Sequence, residues 1–524
     1  MLARIIRCAG IPALVIVMFL FNPQSPSFAQ GGEKITPAAP AANNSKLYLP
    51  LVNQVATQPQ APLIFSTFIG GALFDQVRDV TTDAQGNIYL TGLTASSDFP
   101  TTAGAFQRTF AGGNGDVFVT KLDPTGRLVW STLIGSSGFD YALAIKVDQQ
   151  GYVYIGGLAG PGAPTTPTSF QPGFNGFYSG GYGSLNAYLA KLTPNGSGLV
   201  WASYVGSFYL VRDFDIDQNG DIYAAVIHDP AETGTPPAQW FVNAPYKTPR
   251  GDADLVVAKI KSDGTQVIWA SYFGGSGNDI AGGPSIKVDA TGSPYAMDLT
   301  TSTNLPVTPG VYQGTRRGGA DFYLVKFNPT GTGIVFSTYL GGSGDEGGET
   351  HNLILDRAGN AFIAALTYSH DFPMTAGAFQ STWSGPYIAV IAKLSNDGKQ
   401  LLASSYFGGT TGAYAEGVAL DPSGNVVFFG GGGIGMTVTA NAYQKTHSGN
   451  SDYILAKMTP NLTTLLYATY LGGTATDDAR AGWVDSAGNM VICGQSQSSN
   501  FPVRNAFQST RRGDWDGACA KLSP

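Results

Sequence analysis

One short phrase, residues 83–92, constrains the fold more than any other part of the sequence. Asp83 and the pair Gly86-Asn87 favour a tight turn, because Asp bonds to nearby backbone while Gly and Asn tolerate positive φ. Four β-forming residues, 88–91, follow the turn. The Asp-x-x-Gly turn occurs at 83–86, 148–151, 217–220, 289–292, 356–359, 421–424 and 485–488. The chain after residue 62 is therefore organised as seven repeats.

Each repeat contains four short β-forming segments. The third segment ends in a lysine followed by an apolar residue, and these lysines are 64–70 residues apart: Lys121, Lys191, Lys259, Lys326, Lys393, Lys457 and Lys521. Continuous apolar runs such as 454–456 are typical of strands that are buried on both faces. Four strands at this period predict an all-β fold, a seven-bladed β-propeller with four-stranded antiparallel blades. The coils of a β-helix, the alternative, are usually much shorter.

Several phrases of the repeat resemble a known family. They include Phe-Pro followed by Phe-Gln (99–100 and 106–107), Ser-Thr-Tyr-Leu-Gly-Gly-Ser-Gly-Asp (337–345) and the Asp-x-x-Gly-Asn turn. Together they resemble the SBBP repeat, the seven-bladed β-propeller repeat of secreted and cell-surface bacterial proteins, over roughly residues 63–522. The resemblance implies a propeller with an extracellular location. It implies no established activity and brings no functional residues with it.

The order of strands predicts how the ring closes. If the strand before each Asp-x-x-Gly turn is innermost, the chain begins with an outermost strand at 63–71 and ends with a third strand at 516–522. Pairing of these two strands would complete the seventh blade of a propeller domain, 63–524, and remove an open sheet edge. The repeated turns then lie on one side of the disc, the turn face. The longer and more variable loops lie on the other side, the loop face, where function tends to be found.

The first 62 residues read as a leader and a linker. Arg4 and Arg7 precede a short apolar run at 11–21, and Ser27-Phe28-Ala29 is a small-x-small cleavage signal, so residues 1–29 predict a secretory signal peptide. Residues 30–62 are rich in Pro and Ala and predict an exposed linker, within which 46–52 either packs on the domain or serves as an adhesive segment. We expect a secreted or cell-surface protein with no transmembrane span.

The net charge bears on the binding partner, and the cysteine content bears on disulfide bonding. The net charge of −7 makes nucleic acid an improbable partner. Once the signal peptide is removed, only Cys493 and Cys519 remain. They fall on neighbouring strands of the last blade, and export favours oxidation. The sequence is therefore compatible both with a disulfide between them and with two buried free thiols.

A recurring acid on the loop face is one candidate site. It follows the first glycine of the loop by five residues, as Asp75, Asp140, Asp279, Glu346 and Asp477. A ring of carboxylates at the channel mouth would suit Ca²⁺, which prefers several oxygen ligands. The favoured alternative is that each acid caps its own turn through backbone bonds, since a repeated position usually serves the repeat.

Aromatic insertions in the second and third repeats are another candidate site. They replace the Phe-Pro phrase and contribute Phe174, Phe177, Tyr178, Tyr182, Trp240, Phe241 and Tyr246. If exposed, these rings would suit a sugar or an extended peptide. The alternative is that they fold onto the disc and cover apolar surface.

Signals of catalysis are few. The four histidines show no spacing typical of a metal site, and neither a nucleophile elbow nor a phosphate loop is present. The cluster Glu346, Glu349 and His351 would suit acid/base chemistry, but a solvated loop is the favoured interpretation.

The leading hypothesis is a monomeric, non-catalytic module that binds a glycan or protein through the loop face, with no cofactor other than a possible Ca²⁺. The alternatives are a carbohydrate-active enzyme with carboxylates near the channel mouth and a structural spacer on the cell surface.

Overall fold

The computed structural model describes residues 62–523 except 231, 232 and 350. The predicted signal peptide (1–29) and nearly all of the predicted linker, including 46–52, lie outside these residues. Within the described part, the only helical turns are two short 3-10 segments in loops, Gly180–Tyr182 and Ala238–Phe241. No helix of that part is long and apolar enough to cross a membrane.

The protein is a seven-bladed β-propeller whose blades are four-stranded antiparallel sheets. The innermost strands of neighbouring blades contact one another around a central channel. Blade 1 comprises β2 (Asp75–Thr82), β3 (Ile88–Thr94), β4 (Asp116–Leu122) and β5 (Leu128–Ile134). Blade 2 comprises β6 (Tyr141–Val147), β7 (Val153–Ala159), β9 (Ser184–Leu192) and β10 (Leu199–Tyr204), with an extra strand β8 (Phe177–Tyr178). Blade 3 comprises β11 (Val211–Ile216), β12 (Ile222–His228), β13 (Asp254–Ile260) and β14 (Val267–Phe273).

The remaining blades repeat the pattern. Blade 4 comprises β15 (Ser285–Val288), β16 (Pro294–Thr300), β17 (Asp321–Phe327) and β18 (Ile334–Leu340). Blade 5 has a divided inner strand, β19 (Glu346–Gly347) and β20 (Leu353–Leu355), then β21 (Ala361–Thr367), β22 (Ile388–Leu394) and β23 (Leu401–Phe407). Blade 6 comprises β24 (Ala413–Leu420), β25 (Val426–Gly432), β26 (Asp452–Met458) and β27 (Leu465–Leu471). Blade 7 comprises β28 (Asp477–Val484), β29 (Met490–Ser496), β30 (Asp516–Leu522) and β1 (Leu63–Ile69).

The seventh blade joins the two ends of the chain. Strand β1 pairs antiparallel with β30, so the first described strand forms the outer edge of the last blade. On the neighbouring pair of strands, Cys493 lies directly opposite Cys519, and a disulfide connects them with their Cα atoms 4.1 Å apart. Ring closure therefore combines strand pairing with a covalent bond in the same blade.

The turn face is held by contacts that recur in every blade. Asp83 Oδ1 accepts hydrogen bonds from the amides of Gln85 and Asn87, while Gly86 adopts a φ of 78°. The lysine that closes the third strand pairs with this turn aspartate in all seven blades: Lys121–Asp83, Lys191–Asp148, Lys259–Asp217, Lys326–Asp289, Lys393–Asp356, Lys457–Asp421 and Lys521–Asp485. One turn residue thus fixes its own loop and ties it to the third strand.

A second repeated contact joins neighbouring blades. The aromatic residue of the outermost strand packs on a positive-φ glycine of the next blade, which leaves no room for a Cβ there. A Cβ at Gly196 would lie 2.5 Å from the Trp130 ring, and Gly264 and Trp201 show the same arrangement at 2.3 Å. Trp130 Nε1 also donates to the carbonyl of Pro194 at 3.1 Å. The recurring Trp and Gly therefore belong to one joint between blades.

Candidate functional site

The innermost strands depart from regular pairing at one level of the channel. In five blades a β-bulge leaves one extra residue in the strand: Arg78, Leu143, Arg212, Glu416 and Arg480. Bulges re-aim side chains and are frequent beside functional sites. In blade 5 the inner strand is interrupted instead, and Glu349 lies in the gap between β19 and β20.

The charged residues among them form a layer of ion pairs across the channel, which we call the arginine layer: Arg78, Arg212, Arg480, Glu349 and Glu416. Glu349 Oε2 of blade 5 lies 3.2 Å from Arg78 Nη2 of blade 1 and also pairs with Arg212 of blade 3. On the other side, Arg480 lies 3.6 Å from Glu416 Oε1 and 2.6 Å from Asp478 Oδ2. Glu349 thereby connects blade 5 with blades 1 and 3 across the channel, although no two of these three blades are neighbours.

A hydrogen-bonded network lies beside the arginine layer, toward the loop face. Tyr141 Oη donates to Gln76 Oε1 at 2.6 Å, and the Gln76 amide donates to Gln495 at 2.8 Å. The Gln495 amide donates to Asp478 at 3.0 Å, and Tyr414 Oη donates to the same carboxylate at 2.9 Å. The channel mouth therefore presents two tyrosines, two glutamines and a carboxylate.

A second charged layer lies further toward the turn face. Lys146 Nζ is 3.3 Å from Asp79, and Lys287 Nζ is 3.6 Å from Asp213. His351 lies between these two carboxylates at 3.7 Å from each, and burial lowers its pKa, which favours the neutral ring. All five side chains are buried or nearly so, and the layer fills the channel with paired charge.

The two glutamic acids of the arginine layer differ in protonation. Burial raises the pKa of Glu349, but the charges of the neighbouring arginines outweigh this effect and hold that pKa well below its usual value. Burial and the negative charge of Glu349 raise the pKa of Glu416 above neutrality. Two carboxyl groups of one layer therefore have pKa values displaced in opposite directions.

An aromatic hairpin rises from blade 2 on the loop face. Strand β8 pairs with the start of β9, and Tyr178 in it has the most exposed large apolar side chain of the described residues, at 74%. Near the hairpin tip, the Tyr182 ring packs 5.0 Å from Phe139, which in turn lies 6.0 Å from the Tyr141 ring. An aromatic run from Tyr182 through Phe139 to Tyr141 thus leads from the hairpin to the channel mouth, and the exposed Tyr178 lies in the same hairpin.

The other aromatic candidates are less accessible. In blade 3, Trp240 and Phe241 are 7% and 3% exposed, and Phe241 stacks on Tyr272 at 4.8 Å. Tyr246 is partly buried, with Arg250 over its ring. In blade 2, Phe174 packs edge-on against Tyr204, and Phe177 is partly buried against Tyr209. Trp240 and Phe241 therefore cover apolar surface of the disc. Tyr178 is exposed and Tyr182 is partly buried beside it in the hairpin, so both remain within reach of a ligand.

The recurring acids lie beneath the loop-face loops. Asp75, Asp140, Asp279, Glu346 and Asp477 are each at most 1% exposed, and each accepts the amide four residues upstream. Their contacts are those of turn caps. No group of three or more His, Cys, Asp or Glu side chains in residues 62–523, as described, is arranged to hold a metal ion. The Ca²⁺ site stays a prediction that binding measurements would test.

The cluster Glu346, Glu349 and His351 is not a solvated loop. Glu346 and His351 are buried, and Glu349 is 30% exposed in its side chain. The favoured interpretation from sequence was wrong, because the interruption of the inner strand turns Glu349 and His351 into the channel. Sequence reasoning also missed Arg78, Arg212, Glu416 and Arg480. A signal exists for two of them, since Arg78 and Arg480 each follow the repeat's acid by three residues.

Comparison with known families confirms the repeat. The SBBP family model, a beta-propeller repeat, matches residues 64–100. An SBBP repeat is therefore present at residues 64–100. Among curated proteins, none matches it.

Solved structures show only distant similarity. The WD40 β-propeller domain of Doa1 is 9% identical with a TM-score of 0.41, over 88% of this chain and 96% of that one. A protein of unknown function from Dyadobacter fermentans is 12% identical with a TM-score of 0.41, over 89% and 100%. Quinohemoprotein alcohol dehydrogenase from Comamonas testosteroni is 10% identical with a TM-score of 0.41, over 90% and 78%. Similarity this distant bears on no functional question.

Proposed function

We propose that this protein is a secreted, non-catalytic β-propeller that binds a glycan on its loop face. The observation that carries the proposal is the exposed Tyr178 in the hairpin from which an aromatic run, Tyr182 through Phe139 to Tyr141, leads to a polar channel mouth. Aromatic faces stack on sugar rings, and nearby polar groups fix the orientation of the hydroxyls. The apolar leader with its cleavage signal supports export.

The channel mouth offers both hydrogen-bond donors and acceptors to such a ligand. Its tyrosine hydroxyls and glutamine amides donate, and the oxygens of Gln76, Gln495 and Asp478 accept. A sugar is rich in hydroxyl groups, which donate and accept, so it matches a site that offers both functions.

A glycan array probed with the mature protein tests the proposal. We expect binding to a defined set of glycans, and loss of that binding in the variant Tyr178→Ala/Tyr182→Ala. Ile434→Ala is the matched control, because Ile434 is also exposed, at 59%, on the loop face but in blade 6. Binding only to peptides would replace the glycan by a protein ligand. Absence of binding to both would favour the structural spacer.

One observation favours a second candidate, a carbohydrate-active enzyme. Glu349 and Glu416 have pKa values displaced in opposite directions within one layer. Such a pair supplies a carboxylate and a carboxylic acid at the same pH, which glycoside hydrolysis requires. Incubating each bound glycan with the protein and measuring new reducing ends tests this candidate. Turnover that is lost in Glu416→Gln would favour the enzyme, whereas intact glycan supports the binding module.

A further inference from the structure

Five joints between blades contain two buried acids each. One acid begins the third strand of a blade, and the other is the recurring acid of the next blade. The pairs are Asp516 with Asp75, Asp116 with Asp140, Asp254 with Asp279, Asp321 with Glu346, and Asp452 with Asp477. Every member is at most 1% exposed.

In four of the five pairs the two acids flank one glycine. A Cβ placed on Gly274 would lie 1.8 Å from Asp254 Oδ1 and 2.7 Å from Asp279 Oδ2. The two carboxyl groups therefore face each other across a single backbone position that only glycine can occupy. The same holds at Gly70, Gly341 and Gly472.

The surrounding groups are hydrogen-bond donors. Asp254 Oδ2 accepts the amide of Arg250 at 2.6 Å, and Asp279 accepts the amide of Gly275 at 2.7 Å and the hydroxyl of Thr300. In each pair one oxygen is left over. The atoms without a hydrogen-bond partner among the described residues are Asp75 Oδ1, Asp116 Oδ1, Asp254 Oδ1, Glu346 Oε2 and Asp452 Oδ1.

Two carboxylates this close and this deeply buried require a positive charge between them. A hard cation would need about six to eight oxygen ligands, whereas the pairs are surrounded by N–H and O–H groups that point their hydrogens inward. A proton needs only two oxygens: one to which it is covalently bonded and one that accepts its hydrogen bond. The single unpartnered oxygen in each pair matches that need.

We propose that each of these five joints holds one proton shared between its two carboxyl groups, so that the ring is tightened at acid pH and loosened at alkaline pH. Burial raises the pKa of both acids in every pair, and in one acid of each pair it raises the pKa to about 7 (Asp75, Asp116 and Asp452), about 6 (Asp279) or about 8 (Glu346).

Other charged groups near the pairs modify this effect without removing it. Arg250, Arg316 and Arg511 lower the pKa of the nearest acid, and Asp298 and Asp478 are further negative neighbours. The facing tyrosines stay neutral, because burial raises the pKa of each: Tyr188, Tyr204, Tyr272, Tyr323, Tyr339, Tyr406, Tyr453 and Tyr470.

The joint between blades 2 and 3 has an amide at the corresponding position. Asn186 stands there at the third-strand position, and its amide donates to the carbonyls of Val205, Gly206 and Phe208. A neutral amide is thus accommodated at the position where five other joints have an acid. An Asn at position 116 would keep an acceptor for Ala111 and turn its NH₂ toward Asp140, replacing the shared proton with a permanent hydrogen.

The sign of the pH effect follows from linkage. Between about pH 4 and pH 8 the folded protein binds protons at the pairs that the unfolded chain has released, so the free energy of unfolding falls as pH rises through this range and levels off above it. Unfolding at pH 6 consequently releases protons. Calorimetry in buffers of different ionisation enthalpy counts them.

The test compares the wild type with Asp116→Asn/Asp254→Asn/Asp452→Asn. We expect the triple variant to release about two fewer protons at pH 6, where the pKa of about 6 leaves Asp279 half protonated, and to melt at a temperature that depends less on pH. Asp252→Asn/Asp514→Asn, which changes two exposed acids, should release as many protons as the wild type. An unchanged proton count in the triple variant would overturn the proposal.

Two further measurements keep the proposal falsifiable. If the triple variant does not fold, each single variant should release about one proton fewer than the wild type. Melting with millimolar CaCl₂ and with EDTA separates a proton from a cation, because a bound ion raises the melting temperature by mass action. A Ca²⁺-dependent rise in the wild type that disappears in the Asn variants would assign the joints to the cation instead.

Discussion

The turn face and the channel use charge in opposite ways. On the turn face, one aspartate and one lysine form the same pair in all seven blades, and each pair stays within its own blade. In the channel, the charges differ from blade to blade, and Glu349 connects blade 5 to blades 1 and 3. The repeated contacts stabilise each blade in the same way, whereas the unrepeated contacts make the channel different from one blade to the next.

The same contrast applies to aromatic residues. Trp130 and Trp201 occupy a repeated position and are buried on glycines of the next blade. Tyr178 occurs in an insertion that only blade 2 has, and it is exposed. Removal of a repeated residue should therefore cost stability, and removal of an unrepeated one on the loop face should cost binding.

The largest effect is expected from opening the ring. A mature chain that begins at residue 72 lacks β1, so β30 loses its partner strand and the buried residues Phe65 and Phe68 are removed from the core. We expect its melting temperature to fall sharply in a thermal scan followed by circular dichroism. A chain that begins at residue 62 keeps β1 and should melt like the longer protein. Equal melting of both truncations would contradict closure by β1.

The joint between blades 1 and 2 gives the next largest effect. Trp130→Ala should lower the free energy of unfolding by about 3–5 kcal/mol, because it removes a buried ring and leaves a cavity against Gly196. The neighbouring Val129 is 48% exposed, and Val129→Ala should change the value by less than about 0.5 kcal/mol. Denaturant unfolding measures both. Similar losses in the two variants would show that the repeated aromatic is not a joint residue.

A smaller effect is expected in the channel. Glu349→Gln removes the charge that Arg78 and Arg212 share and should cost about 1–3 kcal/mol at pH 7. Because the pKa of Glu349 is lowered on folding, its contribution is present at neutral pH and lost as pH falls below its unfolded value of about 4. The difference between variant and wild type should therefore shrink in acid. A difference that is constant with pH would refute the ion pair as its cause.

The sequence predicted the repeated parts of the molecule well, for a physical reason. Turns, apolar strands and the recurring Trp and Gly each satisfy a local requirement, so seven copies of the same residues predict seven blades. The pairing of Lys121 with Asp83 was not predicted, although both residues recur at fixed positions of the repeat. The contacts of Arg78 with Glu349 could not be predicted, because the two residues are 271 positions apart and meet only when the ring is closed.

The exposure of the aromatic candidates was equally out of reach from sequence. Tyr178 and Trp240 both stand in insertions rich in small residues, but one hairpin projects from blade 2 and the other segment folds down on blade 3. Which of these occurs depends on packing against β14 and the neighbouring loops, and local composition does not specify it.

The affinity of Tyr178→Ala for a glycan identified on the array tests the central claim most directly, when it is measured by titration calorimetry beside the wild type and Ile434→Ala. The account predicts that Tyr178→Ala weakens binding at least tenfold, which corresponds to about 1.4 kcal/mol, with an unchanged melting temperature. Ile434→Ala should bind like the wild type. Equal affinity of Tyr178→Ala and the wild type would contradict the assignment of function to the unrepeated residues of the loop face.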